Sequence, residues 1–86
     1  MPTLAALDIG SNAMRLAIAS VDAERHITLL DVLREPVRLG QDVFTTGVIA
    51  ARTMGVACEA LIRFRHAIDG HGAKHLRAVA TSAMPP

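Results

Sequence analysis

Three short apolar runs stand almost end to end at the start of the chain, at residues 4–9, 15–20 and 27–34, with only a few turn-forming or polar residues between them. Links that short join neighbouring antiparallel strands, because a parallel pair needs a crossover of a dozen residues or more. The runs are therefore expected to form a three-stranded antiparallel meander. Gly10-Ser11-Asn12 punctuates the first link. A polar tip from Val21 to His26, carrying Asp22, Glu24 and Arg25, forms the second. The second run is apolar nearly throughout, which suits a strand buried on both faces. Glu35-Pro36 stops the third, since the residue before a proline is pushed out of the helical region.

Val37-Arg38-Leu39-Gly40 and then Gln41 to Gly47 read as a loop leaving the sheet. The next stretch, about 49–69, changes period. Met54, Ala57, Cys58, Leu61, Phe64 and Ile68 recur at steps of three and four, while Arg52, Glu59, Arg63 and Arg65 fall elsewhere, the pattern of an amphipathic helix. Gly55 costs such a helix about 1 kcal/mol against alanine, and a close helix–sheet approach would account for it. Gly70 or Gly72 is expected to supply a left-handed cap at its end. A last apolar run at 76–81 is a fourth strand, and a helix between the third and fourth strands implies a crossover that lays the fourth parallel to a neighbour.

Size limits what this order can achieve. The 86 residues suit one small domain or part of a larger one, and a domain this short buries only about 60% of the surface its unfolded chain exposes. A sheet with one helix leaves a face uncovered, and the Thr-Ser turn after the fourth strand normally leads into another helix; residues 1–86 are thus expected to be an incomplete subdomain. Net charge is +1, with Lys and Arg scattered among Asp and Glu, so nothing points to a nucleic-acid or membrane-surface partner. No apolar stretch approaches the ~20 residues of a membrane span, and no signal peptide is read. Cys58 stands alone, which fits the cytoplasm, and reads as a core residue on the helix's apolar face. The single cysteine and His26, His66, His71 and His75 lack the paired spacing of a zinc site. The last three of these histidines gather near the helix end, where a cation is favourable against the dipole.

The chemistry-bearing motif is Asp8-Ile9-Gly10-Ser11-Asn12, on the turn between the first two strands. Gly10, lacking Cβ, lets the backbone come close to an anion. Successive N–H groups, with the Ser11 hydroxyl and the Asn12 amide, can form a concave nest for phosphate oxygens. Asp8 would repel a phosphate directly; its natural work is to hold Mg²⁺ or its water shell against that phosphate. Arg15 can add a charge-assisted contact, and so can Arg38. Thr81 and Ser82, at the end of the fourth strand, can bring hydroxyls to the same pocket. Each has a plainer reading: the pentapeptide is also ordinary hairpin chemistry, Thr81-Ser82 a helix N-cap, and Arg38 a solvated loop charge.

Taken in order, Ala6-Leu7-Asp8-Ile9-Gly10-Ser11-Asn12 with Arg15-Leu16, Glu35-Pro36-Val37-Arg38-Leu39-Gly40, Thr46-Gly47 opening the long helix, and Arg77-Ala78-Val79-Ala80-Thr81-Ser82-Ala83 resemble the amino-terminal part of the exopolyphosphatase and guanosine-pentaphosphate phosphatase (Ppx/GppA) family. The resemblance implies an α/β, partial actin-like (ribonuclease-H-like) fold and a Mg²⁺-dependent hydrolase of terminal phosphoanhydride bonds in polyphosphate or pppGpp. It carries Asp8, Gly10, Ser11 and Asn12 over as positions of the first phosphate loop, and Thr81 and Ser82 as part of the neighbouring wall. Two departures stand out. Met84-Pro85 replaces the family's Leu-Arg pair, and the family's general-base Glu and second phosphate loop lie beyond residue 86. No catalytic residue is therefore assigned, and the chain is expected to be inactive alone. The competing expectations are a stand-alone module that forms a homodimer through its uncovered sheet, and a piece of an actin-like sugar kinase.

Overall fold

Alternation along the first two strands decides which side of the sheet becomes the interior. The computed structural model describes residues 2–80, without the side chains of Val43 and Phe44. Strand β1 runs Thr3–Ile9, β2 Met14–Val21 and β3 Ile27–Glu35; helices α1, Leu39–Thr46, and α2, Ala51–His71, follow before β4, His75–Ala80. Ala5 and Leu7 of β1 and Met14, Leu16 and Ile18 of β2 are buried, whereas Leu4, Ala6, Asp8 and Arg15 between them are exposed. Leu7 lies opposite Leu16 and Ala5 opposite Ile18, so the two strands present one continuous apolar face. The expectation that β2 is buried on both faces is not met. Its outer positions, Ala17 and Ala19, are small residues only half covered.

The sheet order is β3-β2-β1-β4. The first three strands form the antiparallel meander, and β4 returns parallel to β1 after the helical crossover. Between Ile18 and Ala19 the register with β3 slips by one residue, so Leu30 is a bulge. On the inner face α2 packs through Ala57, Ala60 and Phe64, joined by Val37 and Leu39 from the connecting segment. The alanines allow the helix to sit close, and Phe64, 1% exposed, fills the space beside them. Of the face its sequence suggests, Ala57, Phe64 and Ile68 meet the core, and the rest is turned away. Met54, Cys58 and Leu61 form an adjacent, exposed stripe, so Cys58 is not a core residue. Gly55 is likewise exposed, with nothing within 4 Å of where its Cβ would stand, so no close approach explains it.

Two side-chain clasps tie α2 to β3. Arg63 donates twice to the Glu35 carboxylate, at 2.7 and 3.0 Å, and His71 lies 3.2 Å from Asp31. Arg63 holds the Glu35 carboxyl below its ordinary range. The C-terminus of α2 closes as the glycine pattern foretold. Gly72 takes φ +68°, and the N–H groups of Gly72 and Ala73 return to the carbonyls of Asp69 and Ile68, a Schellman arrangement.

The segment expected to be a loop after Gly40 is instead α1. Tight three-residue turns, with Val37 N–H to Glu35 O at 2.8 Å and Leu39 N–H to Val37 O at 3.1 Å, lead into it. Its brevity and its Gly40, Thr45 and Thr46 disguise it as a loop, because such residues lower helix propensity. Thr46-Gly47 does not open the long helix: Thr46 ends α1, Gly47 sits at φ +79°, and α2 begins at Ala51. The N-cap of α2, Ala50, brings no side-chain cap; its own N–H is instead held by Asp42, which accepts it at 2.9 Å. Hydrogen bonds from Thr53 and from that amide lower the Asp42 carboxyl's pKa.

Candidate functional site

The β1–β2 link occupies residues 10–13, and the Gly10 N–H donates to the Ala13 carbonyl at 3.0 Å. A two-residue hairpin turn of the common primed kinds requires positive φ at its tip. Among the described residues positive φ occurs at Arg25, Gly47 and Gly72, and so at none of Gly10, Ser11 and Asn12. The bend is therefore not a two-residue primed turn but a four-residue link, a length that hairpins also use. The Ser11 carbonyl accepts the Gly40 N–H at 2.8 Å, which fastens the tip of the bend to the first residues of α1. Gly10 and Ser11 are half-buried, and Asn12 is exposed.

Asp8 and Arg15 are direct cross-strand partners at the base of this bend, both exposed on the outer face of the sheet. With Ala6, Ala17, Arg77 and Val79 they border a concavity of about 390 Å³. Arg77 was not singled out from the sequence. Alternation along β4 gives its side, but its place beside Ala6 and Asp8 depends on a β1–β4 register that no local pattern encodes. Arg38 is exposed and belongs to a separate concavity of about 300 Å³, with Gln41, Asp42, Arg52 and Thr53. Its backbone neighbourhood is joined to the bend by the Gly40–Ser11 bond. Ala80, the last residue of β4, pairs with Ile9; Thr81 and Ser82 lie outside the described residues.

The structure thus gathers Asp8, Gly10, Ser11, Asn12 and Arg15 at one end of the β1–β2 hairpin and sets Arg38 to one side. Among the described residues Asp8 is the single carboxylate bordering its concavity. Among the described residues no group of three or more His, Cys, Asp or Glu side chains converges on a point. That donor set suits a cation of the Mg²⁺ kind, which keeps several waters and takes one or two carboxylates together with substrate phosphates. It does not suit an ion that demands an all-protein cage.

The profile of the Ppx/GppA phosphatase family matches residues 17–84. Over 83 residues the chain is 42% identical to Exopolyphosphatase 2 of Mycobacterium tuberculosis, a match that covers 93% of this chain and 26% of that protein. The crystal structure of the Aquifex aeolicus Ppx/GppA family member superposes with a TM-score of 0.86 at 25% identity, over 92% of this chain and 26% of the other. An exopolyphosphatase from Cytophaga hutchinsonii gives a TM-score of 0.86 at 31% identity, over 94% and 26% respectively. The chain therefore spans about a quarter of the length of the relatives it matches. The four-stranded sheet with its long helix is shared with those structures and has their actin-like architecture. By sequence and by fold, this chain belongs to the Ppx/GppA phosphatase family.

Proposed function

We propose that the chain forms one wall of the phosphate-binding cleft of an exopolyphosphatase or pppGpp phosphohydrolase, and that the bend at Gly10, Ser11 and Asn12 receives a phosphate group. The observation that carries this reading is the bend itself. It is a four-residue link whose tip is anchored to α1 through the Ser11 carbonyl and the Gly40 N–H, in a chain of a phosphatase family. Backbone amides and small polar side chains held in a fixed bend are pre-organised donors for anionic oxygens. Arg15 adds a guanidinium at the base of the bend, and the hydroxyls of Thr81 and Ser82, outside the described residues, would serve the same phosphate; Arg38, set to one side, would meet only a longer phosphate chain. Asp8 would hold Mg²⁺, or a water bound to it, and the cation would neutralise charge on the phosphate. Residence in the cytoplasm accords with a lone, exposed Cys58.

Binding and hydrolysis separate in this proposal. Hydrolysis needs a positioned base for the attacking water and a second clamp on the charge that develops. The carboxylates nearest the bend by register have other work: Glu35 is held by Arg63 on the inner face, and Asp8 faces the cation. The chain alone is therefore expected to release no phosphate from polyphosphate. Substituted for the matching quarter of Exopolyphosphatase 2, it should support Mg²⁺-dependent release from polyphosphate or pppGpp. A folded chimera inert on both substrates would overturn the assigned chemistry. A self-associating module is the competing reading, favoured by the open outer face of the sheet, and light scattering on the chain alone separates the two.

A further inference from the structure

A second cluster of positive charge stands on the segment that leads from β3 into α1. Arg38 is exposed between Val37 and Leu39, which are 2% and 3% exposed, so its neighbours are locked into the core while its own side chain meets solvent. It is also the central residue of the three-residue turn closed between the Leu39 N–H and the Val37 carbonyl at 3.1 Å. Two residues on, Gly40 donates to Ser11 at the tip of the bend. The Arg38 Cα therefore stands at most about 7 Å along the chain from that anchor. Arg38 borders the concavity of about 300 Å³ that Arg52 also borders from α2, together with Gln41, Asp42 and Thr53. Neither guanidinium makes an ion pair among the described residues. Asp42, the carboxylate in this concavity, is already engaged by Thr53 and by the Ala50 N–H.

We infer that the Arg38–Arg52 concavity is a second anion subsite, which takes a further phosphate of a ligand already held on the bend and so selects long phosphate chains over short ones. The inference rests on the phosphate reading of the bend and adds to it Arg52 and a preference for chain length. Two guanidiniums bordering one small concavity repel each other, and an anion between them relieves that repulsion. Their planar forks match phosphate oxygens. Asp42 supplies one negative charge against two positive ones, and its hydrogen bonds hold it to the start of α2. A merely solvated loop charge requires neither the fixed mount of Arg38 nor a second guanidinium beside the same hollow. Once the leading phosphate sits on the bend, a second contact by the same chain is intramolecular and raises affinity without any change at the first site. A short compound held on the bend forgoes that contact.

The test titrates the isotope-labelled 86-residue chain with tripolyphosphate and, separately, with long-chain polyphosphate counted per chain, both with Mg²⁺. An ionic strength of about 0.15 M screens diffuse attraction within about 8 Å. The long chain should bind roughly tenfold tighter or more, adding shifts at the amides of Arg38, Gln41, Arg52 and Thr53 to those at the bend. Arg52→Gln should bring the ratio of the two affinities close to one in a chain whose spectrum stays dispersed. Arg65→Gln removes the same charge from a guanidinium 79% exposed elsewhere on α2 and should leave the ratio unchanged. A ratio near one in the unaltered chain, or equal losses from the two substitutions, would overturn the inference while the bend still binds phosphate. Bend amides unmoved by either compound would remove the phosphate reading and this inference together.

Discussion

Single residues carry separable duties here, and glycines show it best. Gly72 holds φ +68° at the end of α2, so Gly72→Ala should cost roughly 1–2 kcal/mol, read as a lower urea midpoint. Gly55, exposed in the middle of the same helix with open space around it, should behave oppositely: Gly55→Ala should stabilise by about 1 kcal/mol. Gly10 is a third case. Because its φ is not in the left-handed region, Gly10→Ala should leave the thermal midpoint level or slightly raised. Any loss should fall on phosphate binding, through the methyl group placed where an anion approaches. Phe64→Ala empties the best-filled site of the core and should cost about 3–5 kcal/mol. Against a total of about 5–15 kcal/mol for a native domain, that substitution should leave a large unfolded fraction in circular dichroism.

Elements are fixed by contacts distant in sequence, and there local reading reached its limit. The meander was legible because Gly10-Ser11-Asn12 and the tip after Val21 leave no room for another connection, and the parallel return of β4 followed from the intervening helix. The facing of α2 was legible in part: Ala57 and Phe64 follow from the periodicity, but the sequence does not separate them from the adjacent stripe of Met54, Cys58 and Leu61, which the structure leaves exposed while Ala60 is buried. Helix α1 escaped for a related reason: its evidence is Asp42 reaching the start of α2, a contact visible only once both helices exist. The β3–α2 clasp gives this scale its prediction. Since Arg63 lowers the Glu35 carboxyl's pKa, its contribution to stability is present above the ordinary value of 4.5 and lost as pH falls from there through the lower folded value. Glu35→Gln should therefore lower the urea midpoint at neutral pH, and the gap to wild type should close as the solution is acidified below that range. A gap that persisted at low pH would assign the effect to packing.

At the scale of the whole molecule, the described residues place one long helix on one face of a four-stranded sheet and none on the other, and the chain spans about a quarter of its relatives' length. The site follows the same division. That Asp8, Gly10, Ser11, Asn12 and Arg15 lie together was legible because they share one turn and its flanking strand ends. Arg77 and the true neighbourhood of Arg38 depend on sheet register and on α1, which no short motif records. The proposed phosphate role is best tested by where a phosphate compound lands. Isotope-labelled chain should be titrated with tripolyphosphate in the presence of Mg²⁺ and followed amide by amide. Saturable shifts centred on Gly10, Ser11 and Asn12, weakened by Gly10→Ala in a chain that remains folded, are the predicted result; shifts spread over the surface arginines with those three amides unmoved would contradict it.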